Sequence, residues 1–220
     1  MSWRVGLWTL FRRDLALAYR QGGGGFVALG FFVMTTALAP LALGADRELL
    51  SRVAPGLMWI GAALAALLGM ERVYQSDYED GVLDLLAMGP PPLTLVALAK
   101  AAAFWAGSCA PVALAAPVVG VLFSLPASQA AALTAALAVG SAAFSLIGSA
   151  AAALVVGVRR GGMLIAILAL PLFTPVLIFG VGASGGGEAS GAFLLLCAYA
   201  LFSLVACPIA ASAALRLNLE

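Results

Sequence analysis

The chain has 220 residues, of which 64% are hydrophobic and 10% charged, with a mean hydropathy of +1.10. A soluble domain of this length needs a polar exterior that this composition cannot supply, whereas a bilayer accepts an apolar surface. The net charge of +1 argues against nucleic-acid binding, and the absence of histidine removes the commonest general base and metal ligand. The composition therefore predicts an integral membrane protein that is poorly supplied for catalysis.

The first 20 residues are predicted to form an amphipathic helix at the membrane surface. Trp3, Leu7 and Leu10 share one side of this helix, and Arg13 lies opposite them. A basic face of this kind suits anionic headgroups. Asp14 intrudes on the apolar side.

Long charge-free runs follow, and they are continuous rather than alternating, which excludes a β-barrel. A span needs roughly 20 apolar residues, so the run 101–158 must hold two spans with a turn near Ser124 and Pro126. The predicted fold is therefore all-α and polytopic, with six transmembrane helices. These are expected at about 25–44, 53–70, 101–124, 129–157, 162–182 and 191–214.

Two pairs of prolines fall inside these predicted spans. Pro111 and Pro117 lie in the third span, and Pro171 and Pro175 lie in the fifth. Proline removes a helical hydrogen bond, so each pair is expected to kink or break its helix, as is common where helices shift or line a path. A kinked packing helix is the simpler interpretation of any one proline.

The basic residues predict the orientation, because arginine and lysine near span ends are retained in the cytoplasm. With the N-terminus inside, all but two of the 11 basic residues are cytoplasmic, the exceptions being Arg47 and Arg52. Lys100 and the pair Arg159 and Arg160 then mark cytoplasmic span ends. Both termini are expected in the cytoplasm.

The largest predicted loop runs from residue 71 to 100 and carries seven charges, Glu71, Arg72 and Lys100 among them. Burying them at the membrane centre would cost on the order of 20 kcal/mol, so the loop stays in water. Asp77, Asp80 and Asp84 recur at helical spacing, and three prolines follow. The pattern predicts a short amphipathic helix from residue 77 to 88, acidic on one face.

This loop helix has three interpretations. It can dock a soluble partner, or its apolar face can simply rest on the headgroups. Its acidic residues could instead hold magnesium beside a lipid substrate, as in a membrane lipid enzyme. The docking interpretation assigns the contact to Asp77, Tyr78, Glu79, Asp80, Gly81, Asp84 and Leu85.

The chain shows no energy source of its own. The predicted spans contain no charge, which argues against an ion-coupled carrier. The single lysine, Lys100, follows an apolar run rather than a glycine-rich phosphate loop. Cys109, Cys197 and Cys207 show no metal or disulfide motif. A transport role would therefore require a separate ATPase chain.

Several stretches, taken in order, resemble the heme exporter protein B family, the permease subunit of the cytochrome c maturation transporter. The stretches are Arg52–Trp59, Glu71–Arg72, Asp77 with Glu79–Gly81, Leu98–Lys100 with Trp105, Arg159–Gly162 and Pro171–Phe179. Their order and spacing agree with that family over nearly the whole chain. Many members carry a histidine before the tryptophan matched by Trp105, where this chain has Phe104.

The resemblance implies a non-catalytic ABC-2-type permease of the bacterial inner membrane, paired with a small ATPase subunit. It also implies a tryptophan-rich heme-handling membrane protein, a small membrane peptide and a second copy of the chain as partners. ATP and heme would then be bound by partner chains rather than by this one. The loop helix would be the coupling helix that contacts the ATPase. An ABC-2 permease for another hydrophobic solute is the alternative in the same class.

Overall fold

The computed structural model describes residues 3–20, 24–44, 46–158, 161–185 and 189–219, and this part of the chain contains helices and no strands. The first elements are α1 (Trp3–Arg20), α2 (Gly24–Leu43), α3 (Arg47–Met70), α4 (Arg72–Glu79), α5 (Val82–Met88) and α6 (Leu93–Phe104). A π-helical segment (Trp105–Cys109) follows, and then α7 (Ala110–Leu122), α8 (Ala127–Leu154), α9 (Gly161–Ala183) and α10 (Ala189–Leu219).

Six helices in this part of the chain are long and apolar enough to cross a membrane, which confirms the predicted all-helical, six-span fold. Three of them extend well beyond the bounds that the sequence indicated. The second continues through α4 to Glu79, the third runs without a gap from Leu93 to Leu122, and the sixth runs from Ser190 to Leu219. The third helix therefore begins eight residues before position 101, and it includes Lys100 instead of starting after it.

A π-helical turn interrupts the third span directly before Pro111. Proline has no N–H to donate, so the wider turn at Trp105–Cys109 lies where the regular ladder is already broken. By contrast, α9 runs unbroken through Pro171 and Pro175, and α7 continues past Pro117. Among the four predicted prolines, only Pro111 adjoins a change of helix type.

The bundle is centred on α8, which packs against α3, α7, α9 and α10. Trp59 of α3 is fully buried against it, with its ring 5.9 Å from that of Phe144. Gly140 and Gly180 lie so close to the indole that neither has room for a Cβ atom. The indole Nε1 donates a 3.1 Å hydrogen bond to Ser184. Small residues thus let the helices close around one large side chain.

Three serines of α8 hold the neighbouring helices by hydrogen bonds. Ser141 accepts from Trp105 Nε1 at 3.0 Å, Ser145 donates to the Ala101 carbonyl at 2.7 Å, and Ser149 is 2.9 Å from the Tyr74 hydroxyl. Their spacing of four residues places them on one face of α8. This face ties α8 to α6, the π-helical segment and α4.

Candidate functional site

Four charged side chains, here called the ion cluster, join α1, α4 and α6. They are Arg13 and Asp14 of α1, Asp77 of α4 and Lys100 of α6. Lys100 Nζ lies 2.8 Å from Asp14 Oδ2 and 2.6 Å from Asp77 Oδ2. Arg13 Nη2 lies 2.7 Å from a carboxylate oxygen of each aspartate. Each carboxylate therefore contacts two cations, and the four charges cancel.

Lys100 is the most deeply buried member of the ion cluster, with 3% of its side chain exposed. Its Nζ also donates a 2.9 Å hydrogen bond to the Val73 carbonyl and lies 5.5 Å from the centre of the Tyr74 ring. A buried ammonium is stable only when it is paired and hydrogen-bonded. Removing one partner from such a network costs about 3–5 kcal/mol. Lys100 therefore fixes the relative positions of α6, α4 and α1.

Arg13 is the outer member of the ion cluster, with 36% of its side chain exposed. Partial burial would lower the pKa of its guanidinium, but the hydrogen bonds and charges of Asp14 and then Asp77 outweigh burial and raise the pKa. Arg13 consequently stays charged and closes the cluster toward the surface.

The ion cluster was not predicted from the sequence, although one residue hinted at it. Asp14 was the acidic exception on the apolar side of the N-terminal helix, and its partner is Lys100, which is 86 positions away in the chain. A charge on an apolar face must be neutralised when that face is buried. The sequence could indicate that Asp14 needed a partner, but it could not identify Lys100.

The predicted loop helix is in fact two helices. α4 ends at Glu79 and α5 begins at Val82, and Gly81 between them has φ +70°. Residues that carry a side chain rarely adopt this left-handed backbone conformation, so a glycine is favoured at the break. A single helix from residue 77 to 88 is therefore wrong, because the backbone turns at Asp80 and Gly81.

The break separates the predicted acidic residues. Asp77 is only 5% exposed and belongs to the ion cluster, so it does not share an exposed face with Asp80 and Asp84. The exposed side chains of this segment, here called the loop surface, combine acidic and apolar groups. They are Tyr78, Glu79, Asp80, Asp84, Leu85 and Met88. Leu85 and Met88 are 67% and 79% exposed, so this surface presents two large apolar side chains.

A second set of contacts joins α4 to the turn between α8 and α9. Gln75 Oε1 accepts a 3.3 Å hydrogen bond from the Gly157 amide, and a Cβ atom on Gly157 would lie 2.9 Å from the Tyr78 ring. Directly before α4, the carboxylate of Glu71 lies beside Gly162 in the first turn of α9. An anion there is favourable because the helix N-terminus is its positive end.

The span-end residues are distributed around this region. Glu71 lies against α9, Arg72 opens α4 with an exposed side chain, and Lys100 is buried in the ion cluster. Arg159 and Arg160 lie outside the described residues.

The acidic residues are poorly placed for a shared magnesium ion. Both oxygens of Asp77 accept from Arg13, and Glu79 accepts from Gln75 at 2.8 Å. Within the described ranges, no group of three or more potential metal ligands comes together. The arrangement favours a structural role for Asp77 over metal-assisted chemistry.

The fold and the ion cluster define a multi-pass α-helical membrane protein whose first helix is pinned to the ends of two spans. A family model described as CcmB protein matches residues 5–218 of the chain. The chain therefore belongs to the CcmB family.

Named relatives agree over almost their whole lengths. The chain is 45% identical to "Heme exporter protein B" of Paracoccus denitrificans over 216 residues, which cover 96% of this chain and 99% of the relative. It is 45% identical to the protein of that name from Bradyrhizobium diazoefficiens, covering 96% and 98%. It is 34% identical to that from Escherichia coli K12, covering 97% and 99%. The resemblance seen in the sequence is thereby confirmed.

Proposed function

We propose that this chain is the permease subunit of an ABC-2-type heme exporter that acts in cytochrome c maturation. The supporting observation is the match, over nearly the full chain, to relatives named for heme export. Six apolar helices provide the membrane domain that such a role needs. The sequence has no phosphate-binding loop, so the chain is non-catalytic and ATP hydrolysis occurs on a separate subunit.

The ATPase subunit docks on the loop surface. Leu85, Met88 and Tyr78 are exposed apolar side chains that can act as anchors, and Glu79, Asp80 and Asp84 surround them with negative charge. Interfaces commonly combine a few buried apolar anchors with a charged rim that orients the partner. Asp77 supports this surface from behind rather than contacting the partner.

Besides the direct continuation of α3 into α4, movement of the loop surface passes to the spans by two sets of side-chain contacts. The ion cluster connects α4 to α1 and α6, and Gln75 with Tyr78 connects α4 to the turn before α9. Short, fully paired contacts of this kind displace helices together rather than independently. The ATPase stroke thereby reaches α1, α6 and the turn before α9.

The chain lies in the bacterial inner membrane with both termini in the cytoplasm. It works with a tryptophan-rich heme-handling membrane protein, a small membrane peptide and a second copy of itself. Heme and ATP are held by partner chains, since this chain has no histidine to ligate the heme iron and no phosphate-binding loop for ATP. Its role is to transmit the ATPase stroke to the heme-handling partners.

The docking proposal is tested by reversing charge on the loop surface. Asp80→Lys with Asp84→Lys should release the ATPase from the tagged complex in mild detergent while leaving the thermal unfolding of the chain nearly unchanged. Glu48→Lys, a charge reversal at another exposed acidic position outside the loop surface, is the control for each single replacement and should retain the ATPase. Retention by the double variant would contradict docking here.

Mass spectrometry of the purified native complex separates the alternatives. A P-loop ATPase together with a tryptophan-rich heme protein supports the maturation assembly. An ATPase alone favours export of another hydrophobic solute. Absence of any partner, with magnesium-dependent turnover by the chain alone, would favour the lipid enzyme.

A further inference from the structure

A cavity of about 100 Å³ lies beside the ion cluster, between α1, the end of α3, α4, α6 and the π-helical segment. A single water needs roughly 10–15 Å³ of such space, so the cavity has room for a compact polar group. One part of its wall is charged and another is apolar, the latter including Leu17 and Phe104. A wall of this mixed kind suits a molecule with a polar head and an apolar body.

The charges lining the cavity do not cancel. Asp14 and Asp77 are each already paired with Arg13 and Lys100, so these four contribute no net charge. Arg72 also lines the cavity, and its guanidinium has no acidic partner among the described residues. One positive charge is therefore left over for an anion.

Ser108 supplies a second and independent indication. It is 2% exposed and lines the cavity, and its hydroxyl makes no hydrogen bond to another described residue. The buried serines at 184, 203 and 212 each donate to a carbonyl three or four residues earlier in their helix. Ser108 lies in the π-helical segment, where the helical register is widened. Among the described residues, every fully buried side-chain nitrogen or oxygen has a partner, so this unpaired hydroxyl is not fully buried and is accessible to a ligand in the cavity.

We propose that this cavity binds the phosphate of an anionic phospholipid headgroup. Arg72 supplies the unpaired charge, Ser108 supplies a hydrogen-bond donor, and the acyl chains leave along Leu17 and Phe104. Basic pockets between helices at a membrane face are typical binding sites for anionic headgroups. Inorganic phosphate shares the headgroup chemistry but has no apolar body to contact Leu17 and Phe104. This site does not depend on what the chain transports.

The test measures binding of phosphatidylglycerol to the full chain in a neutral detergent at about 0.15 M salt, an ionic strength at which long-range attraction is screened. Arg72→Gln should weaken binding about tenfold more than Arg12→Gln, because one charge-assisted hydrogen bond accounts for roughly a tenfold change. Arg12 is the matched control, since it is an exposed arginine on α1 and does not line the cavity. Both variants lose one positive charge, so general attraction to the lipid falls equally in the two.

A second pair of variants leaves the net charge unchanged and therefore tests the site without any change in general attraction to the lipid. Ser108→Ala should weaken phosphatidylglycerol binding several-fold, whereas Ser128→Ala, at an exposed position of α8, should not. Equal losses in Arg72→Gln and Arg12→Gln, with no loss in Ser108→Ala, would overturn the site. Inorganic phosphate that binds as tightly as the lipid, or phosphatidylcholine that binds as tightly as phosphatidylglycerol, would overturn the assignment to an anionic lipid.

Discussion

At the scale of single residues, Lys100 shows how one buried charge organises the surrounding helices. The sequence predicts a position at a cytoplasmic span end, because lysine near an apolar run usually reaches water. The structure instead buries it between two carboxylates from different helices. The alanine-rich sequence around Lys100 gives no indication of those partners. Sequence reasoning therefore identified the charge, but it could not identify the network.

Replacement of Lys100 by Met should destabilise the chain by about 3–5 kcal/mol, because Asp77 and Asp14 would keep only Arg13 as a partner. Thermal unfolding in detergent measures this loss, and Arg216→Met, at an exposed arginine, is the control. Adding Asp77→Leu removes one unpaired carboxylate. The double variant should therefore lose less stability than the two single variants lose together. Strict additivity would mean that Lys100 and Asp77 act independently.

At the scale of elements, the break between α4 and α5 determines which side chains form the loop surface. Helical spacing predicts one acidic face, yet Asp77 is buried in the ion cluster, and the turn at Gly81 places the exposed Asp84 on a separate helix. The glycine itself was visible in the sequence, but a lone glycine within a helical pattern does not specify a left-handed turn. The tertiary contacts of Asp77 determine that its side chain is buried.

Gly81→Ala should strain this break by about 1–2 kcal/mol, because alanine disfavours the left-handed conformation. ATPase retention should fall, since the loop surface would be displaced, while Gly81→Asn should retain more because asparagine tolerates this conformation. Gly30→Ala, in open space within α2, serves as the control. ATPase retention by Gly81→Ala equal to that of the control would show that the position of α5 does not depend on this turn.

At the scale of the whole molecule, composition and charge-free runs were sufficient for the fold, because a bilayer requires long apolar helices almost regardless of side-chain detail. The close packing around Trp59 could not be predicted from the sequence. The need for glycine at positions 140 and 180 becomes apparent only when α8 and α9 are seen to pack against that indole. The same limit applies to the serine face of α8, whose three partners lie on other helices. The fold class follows from the requirements of the bilayer, whereas the arrangement of the helices follows from contacts between residues that are distant in the chain.

The basic residues predict the orientation of the whole bundle, which can be measured directly. If both termini are cytoplasmic, Glu48→Cys faces the opposite side from Asp84→Cys, because α3 crosses the membrane between them. A membrane-impermeant maleimide should label only Glu48→Cys in intact cells and should label Asp84→Cys after permeabilisation. The parent chain controls for the native cysteines, of which Cys109 is buried and the others lie within α10. Labelling of Asp84→Cys in intact cells would reverse the topology and remove the loop surface from the compartment where ATP is hydrolysed.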